Sequence, residues 1–305
     1  MRRIFADGLG ENGSFASFHP LVTFFYFGCV IGVSMFSMHP LFLAETLLAA
    51  VFYSLLLNGV KQFRFILFIC LPILLITAVI NPLFNHRGVT VLFYLNGNQM
   101  TLEAILYGLA AAAMLVSVVV WFSCFSRVVT SDKFIYLFGR ILPVLSLVLS
   151  MCLRYVPLLK NRFREISEGQ KCMGRNYGIR QPIRKLRQLA REISILIAWS
   201  LETSIETSDS MEARGYGLRG RTSFHIFKFT RRDGFALLFI ALAAGFVFAG
   251  CAAGVNGIYY YPAVYYPHSW GVTLPVATVY LLLLIFPAAI DLKGEYRWAK
   301  LSFET

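Results

Sequence analysis

The residues with the clearest potential for chemistry form one short string, Ser210-Met211-Glu212-Ala213-Arg214-Gly215-Tyr216-Gly217. A glycine just past a helix can adopt the left-handed cap conformation, and a cation there interacts favourably with the helix dipole. The string therefore predicts a capped helix end from which Arg214 projects, although an ordinary surface helix would have the same spacing. A formal GxGxxG also runs from Gly215 to Gly220, but it follows a helix, whereas a dinucleotide site needs a preceding strand.

Other constellations that could support catalysis or metal binding are missing from the sequence. It contains no GxxxxGK[ST] phosphate loop, so the chain has no ATP-hydrolysing motif of its own. The five histidines show no ligand spacing and the six cysteines form no CxxC pair, so neither a metal site nor a disulfide framework is predicted. Two acidic residues in apolar segments, Glu45 and Glu103, are the candidates for an ion-coupling site.

The elements that must position these residues are membrane helices. The 305 residues are 57% hydrophobic and 14% charged, with a mean hydropathy of +0.65, which is more apolar than a soluble domain. The sequence predicts an all-α polytopic membrane protein with about six transmembrane helices. The nearly uncharged runs of spanning length are 21–38, 40–57, 65–84, 104–125, 235–253 and 272–290.

The distribution of basic residues predicts the topology. With a cytoplasmic N-terminus, Arg87 is the only one of the 28 lysines and arginines that falls outside. Both termini are then cytoplasmic. The predicted parts are transmembrane helices 1–4 in residues 1–126, a cytoplasmic domain of long amphipathic helices in 127–233, and helices 5–6 with a short tail in 234–305. An eight-span alternative would export a strongly basic stretch, against the positive-inside rule.

The middle part combines charge with helical periodicity. From Ile183 to Met211, apolar residues recur at steps of three and four, which predicts one amphipathic helix roughly 45 Å long. A preceding helix over about 144–173 should end at Gly174, and Pro182 marks the restart. The apolar face of the long helix is suited to a partner protein, although packing between the two helices must also use part of it.

The string Ser210–Gly217, followed by Arg221-Thr222, resembles the second Ala-Arg-Gly signature of the transmembrane T component of energy-coupling factor (ECF) type ABC importers, which take up vitamins and transition-metal ions. The resemblance implies a non-catalytic subunit in a prokaryotic cell membrane, coupling two ATPase subunits to a separate substrate-binding S component. It implies that one ATPase contact is made by Ala213, Arg214 and Gly215, supported by Ser210, Met211 and Glu212. ATP and Mg²⁺ would be bound by the partner subunits, and no cofactor by this chain.

The first signature of that family departs from its pattern here. Alignment places it on Cys172, Met173 and Gly174, so that Met173 stands where the family has arginine and Arg175 follows two residues later. Either Arg175 acts from a shifted position, or this end docks by packing and helix-end polarity. The asymmetry predicts two non-identical ATPase partners.

Two other functions are compatible with the sequence. One is a self-sufficient secondary transporter of a small solute that uses Glu45 or Glu103, and the other is a membrane-embedded enzyme. The lipid bilayer is a predicted partner. Nucleic acid is not, because the basic residues alternate with acidic ones on helical faces and lack interleaved aromatic residues.

Overall fold

The described part of the chain is mostly helical, which confirms the predicted all-α class. The structure is a computed structural model, and it describes residues 13–85, 88–95, 98–139, 143–174, 181–218, 227–262, 264–267 and 269–304. The chain divides into two compact units. The first unit comprises Met1–Lys133 with Phe227–Thr305, and the second comprises Phe134–Ile226. The three-part division made from sequence concerns membrane topology and remains a prediction.

Six helices and one hairpin make up the described part of the first unit. The helices are α1 (Pro20–Phe36), α2 (Pro40–Asn58), α3 (Val60–Phe65, continuing through Ile66–Cys70 and Leu71–Phe84), α4 (Leu102–Val128), α8 (Arg231–Ala252) and α9 (Trp270–Glu304). The short helix α5 (Ser131–Gly139) crosses the boundary between the units. The second unit contains α6 (Pro143–Cys172) and α7 (Pro182–Ala213).

Five helices of the first unit close into a ring. Helix α1 contacts α4 and α8, α2 contacts α4 and α9, and α8 contacts α9. At the centre, the ring of Trp121 lies 6.1 to 6.3 Å from those of Tyr26, Phe27 and Tyr53, all fully buried. Large aromatic side chains contribute much of the buried apolar area in such a core.

Helix α3 packs against α4 on the outside of this ring. Its π-helical segment, Ile66–Cys70, lies directly before Pro72. Proline lacks an N–H and crowds the preceding turn, so local widening lets the helix continue. Only 6% of the most apolar window of this helix is buried, which suits contact with lipid.

By length and composition, six helices of the described chain could cross a membrane. Five of them correspond to predicted spans. The sixth, Val144–Cys172, belongs to the second unit, and it is apolar enough to cross a membrane because of its first half. The predicted first span forms Pro20–Phe36, whose 17 residues are at the lower limit for crossing a bilayer.

Two helices of the first unit begin at the same dipeptide, His-Pro. Nδ1 of His19 accepts a hydrogen bond from the Leu21 N–H, and Nδ1 of His39 accepts one from the Leu41 N–H, each 3.2 Å long. Burial lowers the pKa of both imidazoles, which favours the neutral ring that this cap requires. Their dispersed positions in the sequence predict no role for these histidines, and the structure makes both of them helix caps.

A β-hairpin precedes α4. Strands β1 (Val91–Leu95) and β2 (Asn98–Thr101) pair antiparallel. The carboxylate of Glu103 accepts hydrogen bonds from the Thr90 N–H, at 3.2 Å, and from the Thr90 hydroxyl. Glu103 therefore holds the segment that enters the hairpin against the start of α4, which is a structural role.

Candidate docking site at two glycine-capped helix ends

Helix α7 ends in a complete glycine cap. Gly215 has φ +81°, and its N–H donates to the Glu212 carbonyl at 2.9 Å while the Tyr216 N–H donates to the Met211 carbonyl at 3.0 Å. This pair of bonds defines the Schellman motif. Arg214 is the C-cap residue, with φ −84° and ψ 6°, and its side chain is exposed. The backbone thus forms a glycine-capped helix end, as the sequence predicts, and Arg214 is exposed at it.

Helix α6 also ends at a glycine with positive φ, with one of the two Schellman bonds among the described residues. Gly174 has φ +77° and its N–H donates to the Lys171 carbonyl at 3.0 Å. Met173 stands directly before this left-handed glycine, as Arg214 does at the other end, and is 60% exposed. Cys172 is exposed as well. The backbone equivalence supports aligning Cys172-Met173-Gly174 with Ala213-Arg214-Gly215, whereas Arg175 lies outside the described residues.

The two helices run antiparallel, which separates the two ends. The Tyr155 and Thr207 hydroxyl oxygens are 2.8 Å apart, and the Arg162 guanidinium carbon lies 5.2 Å from the Trp199 ring centroid. Contacts therefore lie closer to the C-terminus of α6 as they lie closer to the N-terminus of α7. Gly174 and Gly215 therefore lie at opposite ends of the pair, roughly 40 Å apart at the rise of an α-helix. The helix pair therefore places its two glycine-capped ends far apart.

Charge differs between the two ends. Arg214 is the only basic residue between positions 192 and 218, and it follows four acidic residues in the last three turns of α7, namely Glu202, Glu206, Asp209 and Glu212. The end at Gly174 is instead basic, with Lys171 in α6 and a group of cations in the first turns of α7, namely Arg184, Lys185, Arg187 and Arg191. Within the described residues 192–218 Arg214 is the single cation, and Arg219 and Arg221 follow it in the sequence.

The face of α7 that packs against α6 is not its apolar face. The packed side includes Trp199 and Thr207, which contact Arg162 and Tyr155 of α6. Glu192 is 3% exposed and accepts a 2.7 Å hydrogen bond from the Gln188 side chain of the same helix. The predicted apolar positions are 46 to 76% exposed over most of the helix length. We call this surface the apolar stripe; its members are Ile183, Leu186, Ile193, Ile197, Leu201 and Ile205. The stripe is uncovered within the described second unit.

A cleft of about 430 Å³ lies beside the second helix end. Its lining combines apolar side chains, hydroxyl groups and one carboxylate, from Met151, Tyr155, Ser204, Thr207, Ser208, Met211, Glu212 and Tyr216. Met211 and Glu212 belong to the predicted string, and Ser210 and Ala213 are exposed beside them. Met151 and Tyr155 could not be predicted from the sequence, because their proximity to this end depends on the register of the antiparallel helices, which periodicity does not specify.

The two acidic candidates for ion coupling differ in their surroundings. Glu103 is engaged by Thr90. Glu45 is partly buried in α2, and its Oε2 has no hydrogen-bond partner among the described residues. Within the same described part of the chain, no three His, Cys, Asp or Glu side chains stand close enough to hold a metal ion.

Comparison with known proteins gives one family. A family model described as cobalt transport protein matches residues 14–225, which is more than half of the chain.

Curated relatives are similar over a shorter stretch. The "Energy-coupling factor transporter transmembrane protein EcfT" of Lactobacillus helveticus (strain DPC 4571) is 32% identical over 102 residues, covering 33% of this chain and 37% of that protein. The protein of the same name from Lacticaseibacillus paracasei is 33% identical over 90 residues, or 29% and 34% of the two chains. That of Streptococcus equi subsp. equi (strain 4047) is 30% identical over 105 residues, or 34% and 39%. These matches span little more than a third of each relative's length.

Proposed function

This chain belongs to the cobalt transport protein family, and we propose that it is the energy-coupling transmembrane subunit of an ECF-type ABC importer. In this role it links ATP hydrolysis by two cytoplasmic ATPase subunits to a separate membrane subunit that binds the substrate, a vitamin or a transition-metal ion. The chain itself is non-catalytic. It binds no cofactor, and ATP and Mg²⁺ belong to the ATPase subunits.

The observation that supports this proposal most is the capped end of α7. A guanidinium group carries five N–H donors and suits a socket of carboxylate or carbonyl oxygens. The Schellman bonds hold the backbone on both sides of Arg214, so a load on its side chain is passed to the 32-residue helix. Because Ala213 has a small side chain and Gly215 has none, an ATPase subunit can approach Arg214 closely.

The separation of the two ends supports a mechanism. Nucleotide binding draws the two ATPase subunits together, and each carries one helix end with it. Because packed helices move as units and repack between discrete arrangements, this displacement changes the surface that α6 and α7 offer to the substrate-binding subunit. Met173 and Cys172 supply the first contact without a cation of their own at the cap position, and Arg175 is a candidate to supply one.

The apolar stripe on α7 is the proposed contact for the substrate-binding subunit. An amphipathic helix offers anchors at three- and four-residue steps, and the exposed members of the stripe follow this spacing. The proposed location is the cell membrane of a prokaryote, with both termini cytoplasmic, as the distribution of basic residues favours.

One observation favours a second candidate function. The unpartnered Oε2 of Glu45 in a membrane helix is the kind of group that ion-coupled transporters use, which suits a self-sufficient secondary transporter of a small solute.

Affinity purification tests the two candidates. The tagged chain is purified from its native membrane in mild detergent beside an Arg214→Glu variant, and co-eluting proteins are identified by mass spectrometry. We expect wild type to retain ATPase subunits and a small polytopic protein, and Arg214→Glu to lose at least the ATPase bound at that end. The matched control is Lys160→Glu, which makes the same charge change at an exposed position in the middle of α6.

The proposal fails if Arg214→Glu keeps every ATPase subunit at normal expression. A wild-type chain that elutes alone, and that takes up solute along an ion gradient in liposomes, would instead support the secondary transporter and direct attention to Glu45.

A further inference from the structure

The chain crosses from the first unit to the second at two places, after Lys133 and before Phe227. Both crossings are fastened to a short turn at residues 13–19, directly before α1. The turn is closed by backbone bonds from the Ser17 N–H to the Ser14 carbonyl, at 3.3 Å, and from the Phe18 N–H to the Phe15 carbonyl, at 3.2 Å. We call this segment the N-terminal turn.

The outgoing crossing is held by Lys133, which is only 6% exposed. Its Nζ donates to the Ala16 carbonyl at 2.6 Å and to the Val128 carbonyl at 2.8 Å. Val128 is the last residue of α4, whose final carbonyls have no partner within the helix and carry the negative end of its dipole. One buried ammonium group thus joins the N-terminal turn, the end of α4 and the start of α5.

The returning crossing is held by three neighbouring contacts. The Asp233 carboxylate accepts from the His19 N–H at 3.3 Å, while its other oxygen accepts from the Thr230 N–H at 2.9 Å and completes the capping box of α8. The Arg232 guanidinium carbon lies 4.3 Å from the Phe18 ring centroid. The rings of His19 and Phe229 meet edge to face at 5.3 Å.

The N-terminal turn is in turn anchored in the core of the first unit. The Phe15 side chain is fully buried, and its N–H donates to Asp291 Oδ1 at 2.7 Å. Asp291 Oδ2 accepts from the Tyr53 hydroxyl at 3.3 Å, which ties α9 to α2 at the same point. Gly294 leaves room for the Ser14 side chain, which any β-carbon at position 294 would overlap.

We propose that the N-terminal turn, with Lys133 and Asp233, is a clamp that fixes both chain crossings to the first unit. This inference rests on the proposed function: displacement of α6 and α7 can do work on the membrane helices only if the segments that join the two units do not absorb it. Ordinary connecting loops are mobile and open at low free energy. Here the outgoing crossing is held by a buried cation, and the returning crossing by a buried carboxylate with two backbone donors.

In this clamp, Lys133 and Asp233 are positioning residues for coupling. Neither would contact an ATPase subunit, substrate or nucleotide. Their loss should leave ATP hydrolysis in place while reducing the transport obtained from it. A residue that merely stabilises the fold would lower both activities together with the amount of folded complex.

The first test uses the whole complex in proteoliposomes, with ATP hydrolysis and uptake measured on the same preparation. Radiolabelled vitamins and radioactive Co²⁺ are the uptake probes. Lys133→Met keeps the aliphatic stem and removes the donors, Lys133→Arg restores a cation, and Lys228→Met removes an exposed lysine from the returning crossing as a control. We expect Lys133→Met to lower uptake per ATP at least about fivefold with bound ATPase unchanged, Lys133→Arg to recover part of it, and Lys228→Met to match wild type. An unchanged ratio in Lys133→Met overturns the clamp.

The second test does not depend on transport or on a variant. Hydrogen exchange is measured on the wild-type complex without nucleotide and after trapping with MgATP and vanadate. The clamp predicts that residues 13–19, 128–133 and 227–233 exchange equally slowly in both states. Faster exchange of these segments on trapping overturns it. A wild-type chain that binds no ATPase contradicts the proposed function instead, so the two failures are distinguishable.

Discussion

At the residue scale, the two helix ends have one backbone and two different side chains. Gly174 and Gly215 both adopt positive φ, and in each case the preceding residue occupies the C-cap position. At that C-cap position stand Met173 in α6 and Arg214 in α7. A thioether packs into apolar gaps, whereas a guanidinium needs oxygen acceptors. Two sockets of different chemistry fit this difference better than two identical ones.

The caps themselves can be tested by alanine. Gly215→Ala and Gly174→Ala place a β-carbon on a left-handed residue, so each should destabilise the last helical turn by about 1 kcal/mol. Gly169→Ala is the matched control, because Gly169 lies inside α6 with no atom within 4 Å of a new β-carbon, and it should stabilise by about 0.5–1 kcal/mol. Hydrogen exchange of residues 211–216 measures the effect of Gly215→Ala, and that of residues 169–174 measures the effects of Gly174→Ala and Gly169→Ala. Equal effects at all three glycines would contradict the assignment of the caps.

Lys133 gives a pH dependence with a defined sign. Burial lowers the pKa of Lys133 to about 8 from its ordinary 10.5. Between these values the unfolded chain binds more protons than the folded chain, so the free energy of unfolding should rise with pH, by at most about 3 kcal/mol. Thermal unfolding in detergent from about pH 7.5 to 10 measures this rise. The rise should shrink in Lys133→Met, and an identical slope in both proteins would contradict the burial of this ammonium group.

At the scale of the element, α7 divides its circumference among three surfaces. One side packs against α6 through Trp199 and Thr207, a second is charged and exposed, and the third is the apolar stripe. Burying the polar side costs little where its groups are hydrogen-bonded, and it leaves the apolar side available for a partner. Helix α7 therefore makes one contact within the chain, and its apolar stripe is left for the proposed partner.

Variants of two nearby isoleucines can distinguish the role of the stripe from that of the other sides of α7. Ile197 lies in the stripe and is 54% exposed, whereas Ile195 lies on another side and is 40% exposed. Ile197→Asp should release the substrate-binding subunit from the purified complex while the ATPase subunits remain, because a carboxylate cannot be buried unpaired in an apolar interface. Ile195→Asp changes helix propensity equally and should have no such effect. Loss of the same subunit from both variants would contradict the role of the stripe.

At the scale of the whole molecule, the antiparallel arrangement of α6 and α7 determines how many partners the chain can engage. Helix ends roughly 40 Å apart cannot enter one groove, so under the proposed function each end would dock into a separate ATPase subunit. The exposed thiol of Cys172 offers a native probe at one end.

Cross-linking tests this stoichiometry. In a Cys152→Ser background, a bifunctional thiol reagent should join Cys172 to one ATPase subunit, and an Arg214→Cys substitution to the other. A chain with both thiols should form a product that contains two ATPase subunits, resolved by mass. Cys172→Ser is the control that removes the first product. A double-thiol chain that is never joined to more than one ATPase subunit would contradict the two-ended mechanism.

Local chemistry made much of this protein predictable from its sequence. Spans follow from long uncharged runs, because backbone groups in lipid must bond within the helix. The two helix ends follow from Gly174 and Gly215, since glycine adopts left-handed backbone at little cost. The string around Arg214 indicated the family through residues that are adjacent in the chain.

Tertiary structure alone decided which surfaces meet. Periodicity identified the apolar side of α7 but not that α6 would pack on a different side, because the partner of a face is set by register and by the shape of another helix. The hairpin before α4 was missed since its strands are stabilised by each other and by Glu103. The clamp joins residues more than a hundred positions apart, such as Ala16 and Lys133, and no local pattern records a hydrogen bond of that range.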